Sequence, residues 1–204
     1  MRRGNSKKAA PSRLQPHGQK AEATRQGILN SARLAFTRSG YDGVGVREIA
    51  QRAGVTAMLV NRYFGSKEQL FEEVVEVTLS APGILTSRVM MQSRDLATLS
   101  RDVANALVAK TAPEVTPMDG FLIMLRSAAN DRAAKILRKK FSQHFEKPLA
   151  DILPGSRPVE RAAMFLAIIA GFQVMRQVVG ISGKTRSYRY QAAKPLRRDL
   201  RWSW

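Results

Sequence analysis

Residues 40–70, GYDGVGVREIAQRAGVTAMLVNRYFGSKEQL, constrain the fold more than any other stretch of the chain. Val46, Ile49 and Ala50 fall on one face of a helical turn running from Val46 to Arg52. Gly54 breaks that turn and accepts the positive φ a tight reversal needs. Thr56 is a good N-cap for the next helix, where Val60 and Phe64 lie four apart and turn back to the core. Ala57, Met58, Asn61 and Arg62 are then expected on the opposite side. Gly65 ends this helix, and Ser66–Gln69 reads as a capping box for a third. The layout is helix, turn, helix, with a second helix roughly 12 Å long at about 1.5 Å per residue. Such a helix fits a DNA major groove about 12 Å wide.

These residues resemble the tetracycline-repressor (TetR) family of bacterial transcriptional regulators. The resemblance is carried by Gly40-Tyr41, Arg47-Glu48-Ile49-Ala50, Ala53-Gly54-Val55 and Tyr63 through Leu70. The helix expected from Thr24 to Ser39, with Ile28, Leu29, Ala32, Ala35 and Phe36 on one side, also fits. Beyond roughly Val77 only length, helical character and a late apolar helix agree. The resemblance implies an all-α fold: an N-terminal three-helix helix-turn-helix DNA-binding domain, then a C-terminal helical bundle for ligand binding and dimerisation. The expected organisation is a disordered basic arm (1–20), the DNA-binding domain (21–66), a regulatory and dimerisation domain (67–181) joined by a linking helix over 67–79, and a basic irregular tail (182–204).

The resemblance also implies roles. Arg47, Tyr63 and Lys67 match phosphate contacts, with Lys67 aided by the positive end of the helix it opens. Thr56, Ala57, Leu59, Asn61 and Arg62 belong to the reading helix; Asn61 suits adenine and Arg62 suits guanine or a phosphate. Three departures stand out. Val44 and Gly45 replace the hydroxyl residues usual before the supporting helix, Asn61 replaces an aromatic, and the tail runs on past the final helix.

The net charge of +18 is unevenly spread. Residues 1–20 carry +6, residues 21–80 are neutral, and residues 81–180 and 181–204 carry +6 each. A basic arm ahead of a helix-turn-helix can follow phosphates or enter a minor groove. The tail, with Tyr188, Tyr190, Trp202 and Trp204, could instead stack on bases. The sequence has no cysteine, which excludes disulfides and thiolate metal sites, and no metal-ligand spacing is present. Its two histidines, His17 and His144, belong to no nucleophile–base set, so neither enzyme nor cofactor is expected. No signal peptide is expected, and a bacterial cytoplasmic, nucleoid-associated location follows from the resemblance. A sequence-tolerant architectural DNA binder is the competing class.

After the linking helix, whose stripe is Leu70, Phe71, Val74, Val77 and Thr78, Pro82-Gly83 interrupts the chain. Further helices are expected over Ser93–Ala109, Met118–Ala129 and Arg132–Ile152, with Pro148 kinking the last or opening a new turn. The final helix, Val159 to Ile181, is apolar on all sides from Ala162 to Phe172, a run of 11 residues and too short for a bilayer span of about 20. It is either the core helix of a monomer or, as the resemblance implies, part of a four-helix dimer interface. In the second case Ala167 and Gly171 permit close approach beside Phe172 and Met175. Partners are therefore operator DNA, a second copy and a small-molecule effector. Met90, Met91, Met118, Met124, Met164 and Met175 are candidates to line the effector's pocket, chiefly Met90, Met124 and Met164.

Overall fold

The computed structural model describes residues 16–81, 83–85, 95–111 and 119–180. Every regular element among them is helical. Helix α1 spans Pro16–Ser39, α2 Val46–Arg52, α3 Ala57–Phe64 and α4 Lys67–Ser80. Then follow α5 (Leu96–Lys110), α6 (Asp119–Ser127), α7 (Asp131–Phe141), a π turn over Ser142–Glu146, α8 (Lys147–Ile152) and α9 (Pro158–Gln173). A second π turn, Val174–Val178, extends α9.

The local signals act as expected. Thr56 Oγ1 accepts from Leu59 N at 3.2 Å, Ser66 Oγ from Gln69 N at 3.1 Å, and Asn130 Oδ1 from Ala133 N at 3.0 Å. Each satisfies an amide that the first turn of a helix leaves without a partner. Gly54 adopts φ +68 between α2 and α3.

Three expectations are corrected. Residues 16–20, assigned to a disordered arm, are helical and belong to α1, which runs on through Gly18 and Gly27 to Ser39. On α4 the buried set is Leu70, Phe71, Val74 and Val75, whereas Val77 is 44% exposed. The buried side is wider than one stripe because α4 packs against α1 on one flank and α7 on the other. The helix expected over Arg132–Ile152 is divided by the π turn, and Pro148 stands in the first turn of the separate segment α8, the second of the two outcomes expected of it. The π turn closes with Lys147 N donating five residues back to Ser142 O. Packing also runs past residue 66. Ile28, Phe36, Tyr41, Ile49, Val60 and Phe64 share one core with Leu70, Phe71 and Val74 of α4 and with Ile123, Ala133 and Leu137 of α6 and α7. A second core joins Ile84 and Leu85 to Leu99, Val103 and Leu107 of α5, Leu149 of α8 and Ala162 and Ile169 of α9.

Candidate nucleic-acid interface

Helix α3 stands between α2 and α4 with Val60 and Phe64 buried. Thr56, Met58, Asn61 and Arg62 are exposed, so a polar and sulfur-bearing side faces outward. Ala57 is the exception to the expected list: it is partly buried and packs on the first core. It lies three residues before Val60 and seven before Phe64, on the same face, so a backbone or methyl contact at the helix start is all it offers. Leu59 is half-buried on the flank.

Around α3 lie the residues expected at phosphates. Arg47 is exposed in the first turn of α2. That helix has Gly45 as N-cap with no side-chain cap bond, while Val44 is buried at 3%. The departure at these positions thus trades a hydroxyl cap for core packing and leaves first-turn amides of α2 without a side-chain partner. Tyr63 is half-buried, its ring 6.4 Å from that of Phe64. Lys67 lays its ammonium 4.4 Å above the Tyr41 ring. Burial lowers the Lys67 pKa, opposed by Asp42, and burial beside Glu68 raises that of Tyr41. Thr56 has its hydroxyl oxygen engaged as a cap, with its O–H free to donate outward.

The helix-turn-helix segment is held to the rest of the molecule at the end of α1. Tyr41 N donates to Ser127 Oγ at 3.0 Å in a buried contact, Asn130 Nδ2 to Asp42 Oδ1 at 2.8 Å, and Arg126 Nη1 to Thr37 O. Arg25 pairs with Glu73 on α4 and rests its guanidinium 5.0 Å above the Phe64 ring. On the outer side of α4, Lys139 reaches Glu72 at 3.2 Å, Lys140 reaches Glu76 at 2.8 Å, and His144 of the first π turn meets Glu76 at 3.0 Å. Hydrogen bonding from Lys140, with His144 also contributing, holds the Glu76 carboxyl down at about 2.

A cavity of about 590 Å³ lies between the end of α4, the start of α6, the first π turn and α9. Its wall is mainly apolar (Leu79, Phe121, Met124, Phe141, Phe145, Leu166). Polar groups on the wall include Arg33, whose Nε is buried without a hydrogen bond 3.5 Å from Asp119, and the half-buried Glu146. Of the methionines named from the sequence, Met124 lines this space. Met164 does not: it is 68% exposed on the outside of α9, where the helix turns it away from the bundle. Met90 lies outside the described residues, as do Met91 and Met118. The aromatic, basic and carboxylate wall residues come from separate segments, so no local pattern could have assembled them.

The expected interface residues Ala167, Gly171 and Phe172 on α9, and Met175 in the second π turn, are all exposed. They join Met164, Ile168 and Val179 in an outward apolar stripe, and nothing lies within 4 Å of where a Cβ on Gly171 would stand. Ala167 also borders the cavity. The helical stretch Pro158–Arg176 is longer than its 11-residue apolar run and meets the length and composition of a bilayer span, with 17% of the window buried.

Two family models match the sequence: bacterial regulatory proteins of the tetR family over residues 28–74, and the tetracyclin repressor-like C-terminal domain over residues 99–184. The HTH-type transcriptional repressor NicS of Pseudomonas putida is 38% identical over 58 residues, 28% of this chain and 27% of that protein. The HTH-type transcriptional regulatory protein RaaS of Mycobacterium tuberculosis is 31% identical over 150 residues, 71% of this chain and 66% of that protein. The chain thus matches about a quarter of the first relative's length and just under two thirds of the other's. The crystal structure of NalD, the secondary repressor of the MexAB-OprM multidrug efflux pump in Pseudomonas aeruginosa, superposes with a TM-score of 0.59. That match covers 79% of this chain and 89% of the other at 20% identity, a likeness of fold.

Proposed function

The chain belongs to the TetR family of DNA-binding transcriptional regulators, and from that premise we propose that it represses transcription as a homodimer on a near-palindromic operator and is released by a small molecule. The observation that carries this reading is the exposed outer side of α3, capped at Thr56 and backed by Val60 and Phe64. Asn61 and Arg62 read base edges, while Arg47, Thr56, Tyr63 and Lys67 fix the register on phosphates. The outward stripe of α9 is the face through which two copies pair. Two reading helices related by a two-fold axis then require half-sites about 34–36 Å apart.

The effector occupies the cavity beside α4, with Arg33, Asp119 and Glu146 as its polar handles and Met124 in its wall. The first π turn faces that cavity with Phe145 and Glu146 and meets α4 through His144. Filling the cavity shifts this turn and α4 with it, which changes the separation of the reading helices. No catalysis, cofactor or membrane is involved, and the site of action is the bacterial cytoplasm. Footprinting on the chromosomal region flanking the gene tests the reading. A single protected palindrome is expected; uniform coating of DNA would favour an architectural protein.

A further inference from the structure

We propose that Met58 is a specificity-determining residue that reads the methyl group of a thymine in each half-site. The assignment rests on the DNA-regulator reading and extends it to a side chain that carries no hydrogen-bonding group. Among the described residues Met58 is the most exposed large apolar side chain, at 79%. Its place on α3 is settled by register. Successive residues turn by about 100°, so Val60 and Phe64 define the buried side and Met58 and Arg62, also four apart, occupy the opposite one. Asn61 lies to one flank of that pair and Leu59 to the other. The outward side of the helix is therefore centred on a thioether and a guanidinium.

Met58 is also the second residue of α3, and recognition helices present their N-terminal turn to base edges. In the major groove the only apolar group on a base edge is the C5 methyl of thymine. A long, polarisable, unbranched side chain adapts to such a group and loses its own water-exposed surface when it does. Arg62, one turn further along, would meet the neighbouring base pair or phosphate and so hold Met58 in register.

The probe is the duplex that the full chain enriches from a random-sequence pool. Each thymine in that site is replaced in turn by deoxyuridine, which lacks only the methyl. The expected result is a loss on the order of fourfold in affinity at one thymine per half-site, the factor implied by burying a single carbon. Met58→Ala should lose a similar factor on the thymine duplex and then bind thymine and deoxyuridine duplexes alike, whereas Met58→Leu keeps the difference. The melting temperature of both variants should match the parent, because the side chain is in solvent. Equal deoxyuridine penalties in the parent and in Met58→Ala would overturn the assignment and leave the regulator reading standing. A pool that yields no enriched sequence would overturn both.

Discussion

Gly40 sits where the DNA-binding helices meet the rest of the molecule, and two constraints coincide there. Its φ is +69, and a Cβ would stand 2.2 Å from the backbone oxygen of Arg126. Gly40→Ala therefore brings left-handed strain and a clash that only displacement of α6 relieves. A loss of about 2–4 kcal/mol is expected, visible as a drop in the urea midpoint, together with weaker operator binding. On α3, Asn61→Ala and Arg62→Ala should each cost about 1–3 kcal/mol on the specific site and little on random DNA, measured by fluorescence anisotropy. Equal losses on both duplexes would remove base reading from that pair. Caps and turns were legible at this scale because Thr56, Ser66 and Asn130 act on amides three residues away. Ala57 was misplaced because a small residue gives no polarity signal of its own; only its register with Val60 and Phe64 reveals that it faces inward.

Helix α4 is gripped on its outer side by Lys139 and Lys140 of α7 and by His144 of the first π turn. Glu76 has its pKa lowered to about 2 from an ordinary 4.5, so its contribution to stability is present above pH 4.5 and is lost as pH falls towards 2. Glu72 is lowered too, chiefly by its hydrogen bond to Lys139. Both carboxylates are more than a third exposed, and solvent screening limits the pairing to about 1 kcal/mol. Glu76→Gln should melt about 2–4 °C below the parent at pH 6, the gap closing as pH approaches 2, by circular dichroism. A gap independent of pH would assign the effect to packing. Helix existence was legible at this scale, since amphipathic spacing marks α4 and α5 well. Boundaries and faces were less so: α1 begins before the last arm residues, and α4 buries Val75 instead of Val77 because two neighbours flank it. The π turn left no mark in the sequence except Pro148, since one extra residue in a turn barely alters a short hydrophobic period.

Across the whole molecule, α9 and the turn that extends it present Met164, Ile168, Met175 and Val179 to the outside of one chain. Ile168→Glu, placed on a side chain that is 67% exposed, should leave the single chain folded while converting the species in solution to a monomer by light scattering. Operator affinity should fall with it, because each copy then binds one half-site alone. Retention of the dimer would move the interface elsewhere. The choice between core helix and interface was open in the sequence because an all-round apolar pattern has no preferred side; its direction is set by α5 and α8, which claim Ala162 and Ile169. The cavity was illegible for a related reason, since its wall is drawn from α1, α4, the residues that follow α4, α6, α7, the first π turn and α9.

The continuous core beneath α1–α4, α6 and α7 bears on how such proteins can be recombined. Splicing this recognition unit onto a foreign sensor at residue 66 would strip Ile49, Phe36 and Val60 of the aromatic and aliphatic floor provided by Leu70, Phe71 and Val74. A workable chimera has to carry α4 along and reproduce the seat that Ile123, Ser127 and Leu137 offer. Transplanted specificity in this scaffold therefore travels as a four-helix cassette with a matched dock, not as a detachable three-helix module.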